Sequence, residues 1–308
     1  MNSTTTKKRN VDFAAYALPI ARTQGLLALA LWVFAMMFLV TFCAWFDLRA
    51  IAFVVLACWI LSSIYVFRVL PQTERDALCA RGVEYSISER NHPRLKTLLQ
   101  KGGANTGVRE PEGTIQKDAP EKANYDVRIA GAAPHWIAVG QGATRDYQPP
   151  ELDCLVLRCL VHARLGSVSR LDLISRLAQM PLSQRVLVWP VAIYASLLRA
   201  LWHSHAESNA DRLTLLLVKN PKLVMSALLK DFVSHHNLLR AKSVGFDDVE
   251  THLKSGGLLE KSSAQMSAQY ALGNALREDL PFNARLNALT AWVNSPEYVS
   301  ALEALAEK

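Results

Sequence analysis

Glu151-Leu152-Asp153-Cys154-Leu155-Val156-Leu157-Arg158-Cys159-Leu160-Val161-His162-Ala163 is the stretch around which the chain is organised. Pro149 and Pro150 stand just before it, and Glu151 and Asp153 load its first turn with negative charge, where a helix dipole favours acids. Leu152, Leu155, Val156, Cys159 and Leu160 recur at i, i+3, i+4, i+7 and i+8, so the stretch reads as an amphipathic helix with one buried face.

The totals surround this helix with an apolar protein. Of 308 residues, 51% are hydrophobic, and the mean hydropathy is slightly positive, which points to membrane attachment. The formal net charge is +7, but Lys7-Lys8-Arg9 is the only tight basic run and no basic stripe is interleaved with aromatics. Nucleic-acid binding therefore has no support, and orientation against a membrane explains the charge better. The five cysteines are odd in number and form no C-x-x-C pair, which excludes a disulfide framework and a zinc ribbon and fits a reducing cytoplasmic setting.

Upstream lie two uncharged apolar runs. Leu26 to Phe46 is about 21 residues long and Ala50 to Phe67 about 18, lengths that span a bilayer. A cleaved signal peptide fits poorly, because the first run is too long for one and a second follows at once. Neither run has a polar face, which argues against a buried hairpin in a soluble core. Positive residues flank the outer ends, so both termini are expected in the cytoplasm. This divides the chain into a cytoplasmic segment (1–24), a transmembrane hairpin (25–70) and a cytoplasmic domain (71–308) anchored at an inner or plasma membrane.

Within that domain, a helix opening at Ser88–Leu95 is expected to run through Leu99 and end at Gly102-Gly103. Residues 101–124 lack an apolar period and read as a mobile loop. Tyr125–Ile129 and Trp136–Gly140 read as strands. Leu171–Leu177 reads as a helical piece. Val186–Leu198, broken by Pro190, is short for a span and reads as a core or interfacial segment. Trp202–Arg212 leads into an apolar helix, and Pro221 starts another that extends to about Leu239. Ser255-Gly256-Gly257 marks a loop. Short helices are expected around Tyr270–Leu276, Ala284–Val293 and Tyr298–Leu305, and His235-His236 reads as a solvated pair near a helix end. The fold class is mainly α with a small β-sheet, preceded by the two-helix hairpin.

The last five residues of the central helix motif have the frame of H-E-x-x-H, the helical zinc-protease motif, in which two His ligands four residues apart flank a general-base Glu. Here the frame reads Arg158-Cys159-Leu160-Val161-His162. With the segments around it, the chain resembles the membrane zinc metallopeptidases that include the heat-shock protease HtpX and the CAAX prenyl protease. Asn91-His92-Pro93-Arg94-Leu95 is similar to that family's N-H-P-x-L helix start, and His135-Trp136-Ile137-Ala138-Val139-Gly140 to its N-A-F-A-x-G strand. Glu207-Ser208-Asn209-Ala210-Asp211 resembles E-x-x-A-D, Asn220 to Leu228 resembles N-P-x-x-L-x-x-A-L, and Pro281 to Leu286 resembles P-x-x-x-R-I/L. The resemblance implies a zincin-like (gluzincin-like) α+β fold. It makes His162 the match of the second zinc ligand, Glu207 of the third and Asp211 of the acid that orients a ligand His. Arg158 then stands at the first ligand and Cys159 at the catalytic Glu.

Both departures strike the chemistry. A zinc peptidase needs three protein ligands and a carboxylate base for the attacking water. A guanidinium stays protonated and binds no zinc. A cysteine is too short for the base, and its thiolate would ligate the metal. Arg158 is instead expected to pair with Glu207 or Asp211, as a positive centre in place of the metal. The leading expectation is a membrane-anchored pseudopeptidase with no cofactor, acting by binding membrane proteins or an active relative. The alternative is a zinc endopeptidase with a rearranged site, acting on membrane or misfolded proteins. There His203, four residues before Glu207 on one helix face, joins His162 and Glu207 as ligands. The simpler reading makes His203 and His205 interfacial residues. A Cys159 nucleophile with His162 as base is also conceivable within helical reach, against the plainer reading of a buried cysteine.

Overall fold

The computed structural model describes residues 16–80, 83–118, 123–235 and 280–306. The expected loop at Ser255–Gly257, the helix at Tyr270–Leu276, His236 and the far end of the helix begun at Pro221 lie outside them. In chain order the elements are α1 (Pro19–Trp45), α2 (Arg49–Ile64), a π turn (Tyr65–Val69), α3 (Leu70–Ala80), β1 (Val83–Ser86), α4 (Pro93–Thr106), β2 (Glu112–Gln116), β3 (Val127–Ala130) and β4 (Trp136–Gly140). Then come α5 (Gln141–Asp146), α6 (Pro149–Arg164), α7 (Val168–Gln179), α8 (Leu182–Leu187), α9 (Trp189–Leu197), a second π turn (Leu198–Trp202), α10 (His203–Val218) and α11 (Pro221–His235). Two helices close the described chain, α12 (Leu280–Val293) and α13 (Pro296–Ala306). The protein is thus mainly helical, with one small mixed sheet and an apolar N-terminal hairpin.

The hairpin follows from its composition. α1, and α2 continued through the π turn into α3, are each long and apolar enough to cross a membrane. Their outward side chains include Phe34, Phe38, Phe53 and Leu61, all well exposed. Such a surface is disfavoured in water and suits lipid. Asp47, in the left-handed region at φ 59°, turns the chain between the two helices, and its carboxylate pairs with Arg49 at 2.9 Å.

The stretch 186–198 is not one of the two helices long and apolar enough to cross a membrane. Pro190 sits in the first turn of α9, where a missing N–H costs nothing. α9 lies along the hairpin. Trp32 of α1 donates its Nε1–H to the Pro190 carbonyl at 2.8 Å and stacks on Tyr194 at 4.9 Å, while Trp59 of α2 meets Trp32 edge-on at 6.1 Å. From Trp189 the chain continues without a break through the π turn and α10 to Val218.

The sheet has the order β1-β2-β4-β3, with β2 and β4 parallel and the outer pairs antiparallel. β3 and β4 are the two expected strands, while β1 and β2 are additions. Residues 101–124, expected as a loop, hold the last two turns of α4 and the whole of β2. The glycines misled that reading. A Cβ at Gly102 would stand 2.7 Å from Leu160 Cδ1, so this glycine lets α4 lie close on α6. The helix ends later, at Gly107 with φ 69°. β2 is buried from its second residue onward and has few of the β-branched residues that announce a strand.

α6 is the centre of this assembly and touches β3, α4, α5, α10 and α11. A capping box closes its start, with Gln148 as N-cap and Glu151 reaching back to the Gln148 N–H at 3.1 Å. Leu152, Leu155, Val156, Cys159 and Leu160 are buried as their spacing requires, but so are Cys154, Val161 and His162. The helix is enclosed on nearly every side. Glu151 is more than a helix-start charge. It accepts from Ser226 at 2.6 Å and pairs at 2.7 Å with Lys230 of α11, which is buried with it.

Candidate functional site: a buried ion cluster between three helices

α6 and α10 cross so that two side chains of each, four residues apart, face one another. Arg158 and His162 come from α6, and Glu207 and Asp211 from α10. The i, i+4 spacing puts each pair on one helix face. Arg158 lies between the two acids. Its Nε donates to Asp211 Oδ1 at 2.8 Å, and its Nη2 donates to Glu207 Oε2 in a short contact.

A second arginine, from α12, closes the cluster. Arg285 donates from Nε and Nη2 to Asp211 at 2.8–3.0 Å and sets Nη1 3.2 Å from Glu207 Oε2. Two guanidinium groups thus take three of the four carboxylate oxygens in a buried site, where the Asp211 side chain is 3% exposed. Planar forks that reach two acids at once are what arginine supplies and lysine cannot. Burial alone would raise the Glu207 pKa, but the Arg158 and Arg285 charges outweigh it and hold the carboxyl well below the usual range. Burial likewise works against the Arg158 charge, and Glu207 and Asp211 more than compensate, so the guanidinium is held even more firmly protonated.

His162 is neutral, because burial pushes its pKa down to about 4. Its Nδ1 lies 2.9 Å from the Ser167 hydroxyl oxygen, which also meets the His162 carbonyl at 2.9 Å. Its Nε2 is buried, has no hydrogen-bond partner and lies 3.6 Å from Glu207 Oε1.

The other expected site residues are placed as follows. Cys159 is buried and its Sγ–H points to the Val127 carbonyl at 3.6 Å. Burial pushes its pKa up to about 12 and favours the thiol form. His203 begins α10, half-buried and one turn before Glu207, and burial pushes its pKa down as well. Among the described residues, no three His, Cys, Asp or Glu side chains are gathered as a metal would require. The zinc implied by the resemblance does not fit what is present. Of the four carboxylate oxygens, three are taken by guanidinium groups. Within the cluster Glu207 Oε1 and His162 Nε2 remain as donors, with His203 one turn away on α10, in a space already holding two cations, whereas zinc needs at least three protein ligands.

Arg285 and Ser167 were not anticipated as site residues. Arg285 carries a signal, since it stands in the segment similar to P-x-x-x-R-I/L, but nothing in the sequence ties it to Asp211. Comparison with protein-family models, with curated proteins and with solved structures finds no match to this chain.

Proposed function

We propose that this protein is a membrane-anchored pseudopeptidase. On this reading it keeps a zincin-like frame, has lost the first ligand and the general base, and acts by binding membrane proteins or an active relative. One observation carries the reading. Arg158, at the position of the first zinc ligand in the resemblance, grips both Glu207 and Asp211. A positively charged side chain thereby does the joining of α6 to α10 that a metal would otherwise do. The order of segments supports the same frame, with an apolar hairpin, a helix opening at Pro93, strand β4, the central helix α6 and the acids of α10. The basic flanks of the hairpin favour both termini, and hence the folded domain, on the cytoplasmic side.

The unpartnered Nε2 of His162, beside Glu207, is an observation on the side of a rearranged zinc endopeptidase, because a ring nitrogen with no hydrogen bond is free to meet a metal. Elemental analysis of the purified full chain in detergent, paired with casein-type proteolysis, separates the two. The pseudopeptidase reading expects substoichiometric zinc and no cleavage above a Glu207→Ala control. Stoichiometric zinc that disappears on His162→Ala or Glu207→Ala would overturn it.

A further inference from the structure

α3 continues the second helix of the hairpin onto the folded domain and lands on the turn between β3 and β4. Gly131 of that turn is the point of contact. Its φ is 86°, and a Cβ there would stand 2.8 Å from Arg75 Cβ and 3.2 Å from the Pro71 carbonyl oxygen, so the turn's backbone lies directly on α3. Both backbone polar groups of the same glycine are held. Its carbonyl accepts from His135 Nδ1 at 2.7 Å, and its N–H donates to Asp172 Oδ2 of α7 at 3.1 Å. One residue thus joins α3, the sheet and α7. Around it, Arg75 lies over the Trp136 ring at 5.8 Å, and Leu78 of α3 is buried with Ala130 and Ala138.

Asp172 is buried, and among the described residues no cation forms an ion pair with it. The charges facing it are few. From α3 comes Glu74, which is also buried and repels it. The cation beside Glu74 is Arg176 of α7, 3.6 Å away and 42% exposed. From β3 comes Arg128, whose charge favours the carboxylate. His135, from the turn, is occupied with the Gly131 carbonyl and keeps that bond in either charge state, since a ring N–H donates in both. On α7 itself Arg170 lies over Trp202. α9 carries no acid or base except the Tyr194 phenol, and Arg199 of the following π turn is exposed. Burial and the Glu74 charge outweigh the Gly131 N–H and Arg128, and the Asp172 carboxyl is pushed up to about 7. A neutral carboxyl suits this site. A carboxylate there is a buried charge beside a like charge, held by one backbone bond.

We infer that Gly131, Asp172 and Glu74 form a proton-operated latch between the apolar hairpin and the domain. With Asp172 neutral, the β3–β4 turn is fastened to α3 and α7; with Asp172 ionised against Glu74, the fastening loosens. α3 runs on from α2 through the π turn Tyr65–Val69, so loosening frees the domain end of the hairpin, and the π turn is the place where a change of angle is absorbed. The closed latch holds a proton that the open, solvated carboxyl gives up. Opening is therefore favoured about tenfold for each unit of pH rise between 3.8 and about 7.

The test is hydrogen exchange of the full chain in a non-ionic detergent, read by mass spectrometry at pH 5 and pH 7. The parent is compared with Asp172→Asn, which keeps an acceptor for the Gly131 N–H and takes no charge. Intrinsic exchange chemistry is the same for both chains at each pH, so the ratio of their rates reports opening. In peptides covering α3 and residues 131–135, the parent-to-variant ratio is expected to rise about tenfold or more from pH 5 to pH 7. Glu74→Gln is expected to reduce that rise. In the parent at pH 7 the same peptides are expected to exchange about tenfold faster than those of α6, as a local opening requires. A ratio that does not change with pH, or a rise undiminished in Glu74→Gln, overturns the proposal. So does exchange of α3 and α6 at one common rate, because the junction then opens only when the whole domain unfolds. Should Asp172→Asn not fold, the parent and Glu74→Gln decide it alone: the latch requires equal exchange in these peptides at pH 5 and faster exchange of the parent at pH 7.

Discussion

Replacing Arg158 by alanine is the perturbation to which the cluster is most exposed. The side chain supplies a 2.8 Å bond to Asp211 and a short bond to Glu207, both charge-assisted and both buried. Removing one partner of a buried ion pair costs about 3–5 kcal/mol, because a charge is left without compensation. Arg285 remains bonded to Asp211 and within 3.2 Å of Glu207, so one cation still faces two anions and the loss belongs in the lower half, about 3 kcal/mol. Urea unfolding in detergent, followed by tryptophan fluorescence, reads this as a lower midpoint at unchanged slope. Arg158→Lys should recover little, since one ammonium cannot reach both acids in the planar geometry the fork allows. Arg158→Met with Glu207→Gln leaves one cation against one anion in a site of similar volume. It should be more stable than Arg158→Met alone, with a coupling of roughly 1–3 kcal/mol between the two positions. A loss below about 1 kcal/mol for Arg158→Ala, the size of an exposed pair, or strict additivity of Arg158 and Glu207, would refute the claim that these charges hold α6 to α10.

Acid should weaken the fold through His162. Its pKa is about 4 when folded and 6.5 in the reference state, so between those values the unfolded chain binds the proton and the folded chain does not, and stability falls as pH drops from 6.5 to 4. The full effect is about 3 kcal/mol. Buried Asp172, pushed up to about 7 by burial, acts in the opposite sense over pH 7 to 3.8, so the measurement is the difference between the parent and His162→Gln, and the variant should gain stability relative to the parent as pH falls from 6.5 to 4. Lys230→Met should cost about 3–5 kcal/mol by stranding the Glu151 carboxylate, and adding Glu151→Gln should return much of it; equal midpoints for the single and double variants would remove that pair from the account. Trp32→Phe removes the bond to the Pro190 carbonyl at a cost of about 1–3 kcal/mol, and faster proteolysis within α8–α9 in micelles would report loosening of that segment from the hairpin.

The parts of the fold legible in the sequence were those written in period and run length. The apolar runs and the i, i+3, i+4 pattern of α6 needed nothing beyond their own residues. β2 was not legible, because Glu112-Gly113-Thr114-Ile115-Gln116 is a strand only by virtue of its neighbours β1 and β4. At the site, the pairing of Arg158 with Glu207 or Asp211 was expected from the resemblance, which sets Arg158 at the first ligand and Glu207 at the third, and both contacts form. Arg285 was not, since its contact to Asp211 spans 74 residues and no local pattern encodes it. The same holds for Lys230, whose bond to Glu151 spans 79 residues.

The path of one helix ties the apolar part of the molecule to the cluster. From Trp189 to Val218 the chain runs unbroken, with α9 against Trp32 and Trp59 at one end and Glu207 and Asp211 in the ion cluster at the other. Its one departure from α geometry is the π turn Leu198–Trp202. A π turn widens the backbone by one residue and is a local weak point in an otherwise stiff rod. A shift of the hairpin relative to α6 must therefore either be taken up at that turn or reach Glu207 along the helix. The doubly paired arginines oppose the second outcome, because moving Glu207 breaks bonds to Arg158 and Arg285 together. A metal at this position would resist the same motion by coordination. The α6–α10 junction is thus held by guanidinium–carboxylate bonds of the chain's own residues.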